Sequence, residues 1–150
     1  MPLANFLMSA AVAALLVCLT VLIHYEALRG ISRWLPHLQV RPRQRILVVI
    51  FGVFAAHTVE VWVFAVAYWL MIAHWELGVL SGGSQNSIFE FAYFSVVVYT
   101  SLGFGDIQPV AHLRMIAGVE ALVGLLMIGW SASFTYLMME RFWPEHEEDS

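Results

Sequence analysis

One short segment of this chain has the composition of a cation-binding loop. Residues 100–106 read Thr-Ser-Leu-Gly-Phe-Gly-Asp and lie between two apolar runs. Because two glycines alternate with residues whose side chains can point outward, successive backbone carbonyls can line one surface. Carbonyl oxygens arranged in a ring can replace the water around a cation. The segment is therefore the first candidate for a functional site.

Three ionisable residues within the long apolar runs form a second candidate. Glu60 lies near the middle of the run 46–73, His57 is three residues earlier on the same helical face, and Glu120 belongs to the run 115–139. If these runs cross a membrane, an ionised carboxylate at mid-depth is costly, so it should be protonated, paired or facing water. The three residues could form a proton or metal-ion switch. The pattern favours a hydrogen-bonded pair of His57 and Glu60 that packs helices together, and a structural role for Glu120. His24 is expected to be interfacial.

Composition and hydropathy place these residues in a membrane protein. Hydrophobic residues make up 61% of the chain and charged residues 12%, with no lysine, which is typical of the membrane class. The apolar runs 3–23, 46–73 and 115–139 are long enough to span a bilayer as helices, whereas the run 88–99 is too short and predicts a re-entrant helix. We therefore predict an all-α membrane protein with three transmembrane helices and one short helix. No soluble domain, nucleotide-binding motif or nucleic-acid-binding motif is visible.

The arginines predict the orientation in the membrane. Five of them lie between the first and second spans, and these are Arg29, Arg33, Arg41, Arg43 and Arg45. Arg141 follows the third span on the same side, and only Arg114 lies opposite. The positive-inside rule then predicts a plasma (inner) membrane protein with its N-terminus outside and its C-terminus cytoplasmic. The five arginines could also bind anionic lipid headgroups, although setting the topology is the favoured interpretation.

The short helix has a clear start signal and a charged end. Ser87 and Glu90 form a capping box, with Ser87 as N-cap, so a helix over 88–99 is predicted. The C-terminal end of this helix carries partial negative charge and favours a nearby cation. Irregular backbone beyond it persists at membrane depth only when it is buried in protein or lines water. Because one chain supplies one such loop, a closed ring requires several chains.

The 100–106 loop resembles the signature of potassium channels, which in its commonest form reads Thr-Val-Gly-Tyr-Gly-Asp. Gly103, Gly105 and Asp106 match it outright. The resemblance extends as a pattern over residues 46–143, about two-thirds of the chain. It implies a homotetramer that conducts K⁺ passively, without an organic cofactor. The ions would be bound by carbonyl oxygens of Ser101, Leu102, Gly103 and Phe104, with Thr100 and Gly105 in the same filter and Asp106 at the outer mouth.

Three departures from the family pattern concern the strictness of selectivity. Phe104 stands in place of tyrosine and lacks the hydroxyl that ties the filter to aromatic residues of the pore helix. Tyr93 and Phe94 occupy the positions of those aromatic residues, which are tryptophans in the family. Val97 stands where some bacterial members have a glutamate. The scaffold is therefore less hydrogen-bonded, so a non-selective monovalent cation channel is the alternative to a potassium-selective one.

Small residues in the last span are candidates for a cavity and a gate. Gly129, Ser133 and Leu137 recur every four residues and share one stripe. They would face the axis below the filter, or else allow close helix packing. Gly124 lies near the hinge position of the family, and a tight helix contact explains this glycine equally well.

Hydropathy, charge and the resemblance together predict four parts of the chain. These are an N-terminal transmembrane helix (1–28), a basic cytoplasmic linker (29–45), a pore domain (46–143) and an acidic cytoplasmic tail (144–150). Within the pore domain we predict an outer helix over 46–74, a pore helix over 88–99, a filter over 100–106 and an inner helix over 112–142. A metal-dependent membrane enzyme is a remote alternative, because it would need a further histidine at ligand spacing. A non-conducting accessory subunit is the other remote alternative.

Overall fold

Four helices account for most of the chain. The computed structural model describes residues 2–83 and 87–142, apart from the side chains of residues 2, 42 and 43. The helices are α1 (Pro2–Trp34), α2 (Pro42–Ala73), α3 (Ile88–Tyr99) and α4 (Leu113–Phe142), with a 3₁₀ turn at Leu35–His37. α1, α2 and α4 are apolar and long enough to cross a membrane, whereas α3 is short. This confirms the predicted all-α membrane architecture. The predicted acidic tail lies outside the described residues.

The first two helices extend further than the apolar runs that predicted them. α1 continues to Trp34, so Arg29 and Arg33 lie on its last turns and not in a linker. α2 begins at Pro42, so Arg45 lies in its first turns. Proline disfavours helical backbone in the residue before it and is well tolerated at the first helical position. The connection is therefore only residues 35–41, because prolines rather than the loss of hydrophobicity set the helix ends.

The short helix α3 is held between α2 and α4. Ser87 caps its first turn, since the Ser87 hydroxyl accepts a hydrogen bond from the Glu90 backbone N–H at 3.3 Å. Large side chains of three helices bury one core around it, and these are Phe64, Tyr68, Met71, Phe91, Phe94, Leu113 and Ile116. α1 adds Ala13 and Leu16 to the same core. Packing against α2 and α4 fixes where the C-terminal end of α3 delivers the following loop.

A two-residue ladder secures the segment that follows the loop. β1 (Leu80–Ser81) pairs with β2 (Gln108–Pro109) in antiparallel register. Gly82 has a φ of +93°, and a Cβ built on it would lie 2.0 Å from the Asp106 carbonyl oxygen. Only glycine allows this close approach. Residues 81–84, Ser-Gly-Gly-Ser, have the composition of a flexible turn, and Ser84 lies outside the described residues. In the structure, Ser81 and Gly82 brace the end of the loop.

Candidate cation-binding loop and the networks behind it

The backbone of the 100–106 loop alternates in handedness. Ser101, Gly103 and Gly105 have φ values of 57°, 60° and 80°, whereas no positive φ occurs at Leu102 or Phe104. For an L-residue such as Ser101 this conformation costs about 1–2 kcal/mol. The glycines adopt it without strain. Two of the three left-handed positions are therefore glycine, which explains the spacing seen in the sequence.

The amide groups of the loop point back toward the end of α3. The Ser101 N–H donates to the Val98 carbonyl at 2.9 Å. The N–H groups of Leu102 and Gly103 both donate to the Val97 carbonyl, at 3.0 and 3.3 Å. All peptide bonds of the described chain are trans, so each carbonyl points opposite to the next residue's N–H. The carbonyls of residues 100, 101 and 102 therefore point away from the protein.

Together with the carbonyls of Gly103 and Phe104, these three carbonyls form a row of acceptors without a donor. Every residue from 100 to 106 is exposed on the single chain. Among the described residues, none donates a hydrogen bond to the carbonyl oxygens of Ser101, Leu102, Gly103 or Phe104. A row of uncompensated carbonyl oxygens is a surface that a partly dehydrated cation can occupy. One chain offers one side of such a site.

Side chains tie down the outer end of the loop. The Tyr93 hydroxyl donates to the Asp106 carboxylate at 2.7 Å, which links α3 to the last residue of the loop. This hydrogen bond raises the pKa of Tyr93, so the phenol remains a donor. Gln108 donates from Nε2 to the Gly105 carbonyl at 3.2 Å. The structure thus supplies contacts at the outer end, although Phe104 itself is 65% exposed.

Glu120 belongs to a network of its own. Its carboxylate accepts hydrogen bonds from Tyr68 of α2 and Ser95 of α3, each at 2.5 Å. The Ser95 hydroxyl also lies 2.9 Å from the Val61 carbonyl. Glu120 therefore connects three helices at the middle of α3. The hypothesis of a three-membered switch required Glu120 to meet His57 and Glu60. The structure does not bring these residues together.

Glu60 instead meets a residue from the first helix. His24 of α1 places Nδ1 2.8 Å from Glu60 Oε1, and His57 places Nδ1 3.2 Å from Glu60 Oε2. His24 and Glu60 are fully buried, whereas the His57 side chain is 19% exposed. The expectation that His24 is interfacial was wrong, because α1 continues for ten residues beyond it. A prediction that the first helix continues to Trp34 would have placed His24 well inside that helix.

Two hydroxyl groups complete the cluster. Tyr99, the last residue of α3, donates to Glu60 Oε2, and its oxygen lies 2.9 Å from His57 Nδ1. Ser131 of α4 lies 3.2 Å from His24 Nε2 and 3.0 Å from His57 Nε2. Neither hydroxyl was singled out in the sequence. We call these five residues the His24 cluster; all four helices contribute to it.

The candidate cavity and gate residues of α4 fall in two environments. Gly129, Ser133 and Leu137 are exposed on the single chain, and the Ser133 hydroxyl bonds the Gly129 carbonyl at 3.1 Å. Gly124 is buried, and a Cβ on it would lie 2.0 Å from the Tyr99 carbonyl oxygen. Gly124 thus occupies a close contact with the end of α3, which is the packing explanation of this glycine.

The basic residues between the first two apolar runs have varied surroundings. Arg33 and Arg41 are exposed. Arg29 forms an ion pair with Glu26 at 2.8 Å. The guanidinium of Arg45 lies over the Phe142 ring, 5.0 Å from its centroid. The side chain of Arg43 lies outside the described part of the chain.

Comparison with known proteins gives one match. A family model described as ion channel matches residues 46–141, which include nearly all of α2 together with α3, the loop and most of α4. No curated protein and no solved structure matches the chain. The family points to a channel rather than an enzyme, in a multi-pass membrane protein. The chain therefore belongs to the ion-channel family that has the two-helix pore domain of potassium channels.

Proposed function

We propose that this protein is a passive, potassium-selective channel whose filter is the 100–106 loop. The observation that carries the proposal is the row of carbonyls without a donor. Its first three members point outward, because the amides of residues 101–103 are bonded to the Val97 and Val98 carbonyls. Fixed amides keep the carbonyl oxygens in place before an ion arrives, so the free energy lost on dehydration is returned by coordination. Ser101, Leu102, Gly103 and Phe104 supply the oxygens that bind K⁺, and no covalent step is involved.

The conducting form is a homotetramer. One chain carries a single open row of oxygens, and a cation surrounded by carbonyls needs such rows on all sides. Leu125 and Leu126 of α4 are more than half exposed on the single chain, which leaves this face available to a neighbouring copy. Gly129, Ser133 and Leu137 then line the cavity below the filter. Four copies is the number that the resemblance to potassium channels implies.

Selectivity for K⁺ over Na⁺ is supported by the contacts around the loop. Tyr93 holds Asp106, Gln108 holds Gly105, and the β1–β2 ladder holds the segment beyond them. These contacts compensate for the hydroxyl that Phe104 lacks. A non-selective monovalent cation channel is the alternative, since Phe104 is largely exposed and makes no hydrogen bond to α3 through its side chain.

The distribution of arginines supports an orientation in the plasma (inner) membrane. The N-terminus lies outside, the C-terminus is cytoplasmic, and the loop enters from the outside. Arg29, Arg33 and Arg41 then lie at the cytoplasmic surface, where anionic lipid headgroups are available. The enzyme alternative is not favoured, because His24 and Glu60 are fully buried and therefore not open to a substrate. The alternative of a non-conducting accessory subunit is also not favoured, because it gives the row of carbonyls no function.

The decisive experiment is a bi-ionic reversal potential with K⁺ facing Na⁺ across a bilayer that contains the purified full chain. A potential close to the potassium equilibrium value is expected. A potential near zero with clear current would replace this proposal with a non-selective channel. Flux of K⁺ into vesicles provides a second assay, with Gly103→Ala as the negative control. Equal flux for the wild type and Gly103→Ala would refute conduction through this loop.

A further inference from the structure

We propose that His24, His57 and Glu60 form a binding site for a divalent transition-metal ion such as Zn²⁺. The site lies among the membrane-spanning helices and is separate from the filter. Its donor atoms all lie within 4.8 Å of one another, and α1 and α2 supply them. Two imidazoles and one carboxylate are a donor set that proteins use for zinc sites with an open fourth position.

The distances fit an ion without a large rearrangement. His24 Nδ1 and His57 Nδ1 lie 2.8 and 3.2 Å from the two Glu60 oxygens. Bonds of about 2.0–2.1 Å from a tetrahedral zinc ion separate neighbouring donor atoms by about 3.3 Å. The donor atoms lie within 4.8 Å of one another, so no separation between two of them needs to change by more than about 1.5 Å to reach this spacing. Side-chain rotation can supply such a movement.

The hydrogen atoms of the cluster leave one contact unsatisfied. Each neutral imidazole carries a single N–H, and Tyr99 gives its only hydrogen to Glu60. If both Nδ1 atoms donate to Glu60, both Nε2 atoms need a donor, yet Ser131 has one hydrogen for the two. If one Nδ1 is unprotonated, its lone pair faces a carboxylate oxygen. One added positive ion, a proton or a metal ion, removes this conflict.

The position of Ser131 fits a bound metal ion. When both Nδ1 atoms bind a metal, both Nε2 atoms carry hydrogen and can donate to the same Ser131 oxygen, which has two lone pairs. Zinc-binding histidines usually donate their second N–H in this way, and that contact fixes the ring orientation. The observed distances of 3.2 and 3.0 Å from Ser131 to the two rings match this role.

Tyr99 supplies both the nearest further oxygen and a link to the loop. Its hydroxyl lies beside Glu60 and His57, where it can donate to the bound carboxylate or take the fourth position. Tyr99 ends α3, and the next residue begins the loop. Movement of Glu60 toward a metal therefore changes the contact that holds the end of the pore helix. This consequence rests on the proposed channel function: an ion in the cluster is expected to alter the current.

Metal binding is tested on the purified full chain with Zn²⁺ alone and with Co²⁺ alone. Calorimetry should give one Zn²⁺ per chain, and Co²⁺ should show the intense visible absorption of a four-coordinate site. His24→Gln and Glu60→Gln should reduce affinity by at least about 100-fold, and Ser131→Ala by roughly 10- to 100-fold through loss of ring orientation. His74→Gln and His112→Gln, which alter histidines outside the cluster, should leave binding unchanged.

Three results would overturn the metal site. If the wild type binds Zn²⁺ and Co²⁺ no better than His24→Gln does, the cluster holds a proton and no metal ion. Equal losses in His74→Gln would show adventitious surface binding, and a weak six-coordinate Co²⁺ spectrum would exclude the proposed four-coordinate site. The spectrum is recorded on wild type, so it decides the matter even if the variants fail to fold.

Current measurements separate the metal site from its effect on the pore. Zn²⁺ should change the current of wild type and leave His24→Gln unaffected. Binding without an effect on current would remove the coupling through Tyr99 and leave the site. Binding in a protein that passes no ions would overturn the proposed function and leave the metal site in place.

Discussion

Replacing Gly124 by alanine tests whether this glycine is a hinge or a contact. An ideal Cβ at this position lies 2.0 Å from the Tyr99 carbonyl oxygen and 2.8 Å from its carbonyl carbon. Both neighbours are backbone atoms, so no flexible side chain can give way. Ordinary contacts begin at 3.4 Å, and the end of α3 must therefore move by more than 1 Å relative to α4.

The expected cost follows from two opposing effects. Overpacking of a well-packed contact costs about 1–3 kcal/mol, and a clash with backbone belongs at the upper end of that range. Alanine has a higher helix propensity than glycine by about 1 kcal/mol. We therefore expect Gly124→Ala to lose about 2 kcal/mol of stability. The displaced Tyr99 should also weaken the His24 cluster and distort the loop that it precedes.

Gly118→Ala is the matched control, because Gly118 lies on the same helix and its Cβ would meet nothing within 4 Å. Thermal unfolding of the detergent-solubilised protein, followed by the amount of intact oligomer, compares the two variants. Gly118→Ala should match the wild type or exceed it, whereas Gly124→Ala should melt earlier and conduct less. Unchanged stability of Gly124→Ala with altered gating would refute the contact and support a hinge.

Three further substitutions test the loop and its supports. Gly103→Ala should abolish K⁺ flux, which is measured with vesicles. The φ of Gly103 is 60°, and this conformation costs an L-residue about 1–2 kcal/mol. Relief of that strain would turn a carbonyl out of the row. Ser95→Ala should destabilise the protein by about 1–3 kcal/mol, since it removes a buried donor to Glu120; thermal unfolding measures the loss. Tyr93→Phe removes the hydrogen bond to exposed Asp106 and should leave thermal stability nearly unchanged, because water replaces the lost partner at an exposed site. It should nevertheless move the bi-ionic reversal potential toward zero.

Each of these substitutions has a control of the same chemical type. Gly118→Ala should retain flux. Ser133→Ala removes an exposed hydroxyl that bonds a carbonyl of its own helix, and it should leave thermal stability nearly unchanged. Tyr25→Phe alters an exposed tyrosine of α1 and should leave the reversal potential unchanged. A Ser95→Ala variant as stable as Ser133→Ala would show that Ser95 does not support Glu120. An unchanged potential for Tyr93→Phe would mean that Asp106 is held without it.

The sequence alone determined the number and kind of helices. Hydrophobic length is a local property, and it separates three spanning helices from the short α3 without tertiary information. Ser87 likewise marked the start of α3, because capping depends on residues within one turn. The predicted helix ends were less accurate than the number of helices. The ends at residues 34 and 42 are set by prolines within a basic segment, where hydropathy is uninformative.

Tertiary structure decided which polar groups meet. His24, Glu60, Tyr99 and Ser131 come from four different helices, and no spacing along the chain relates them. Glu120 looked equivalent to Glu60 in the sequence, yet helix rotation directs it to Tyr68 and Ser95. A buried polar group takes its partner from whichever helix packs against it, because an unpaired one costs too much free energy. Local sequence can thus predict that Glu60 needs a partner, and only the packing of the four helices selects that partner.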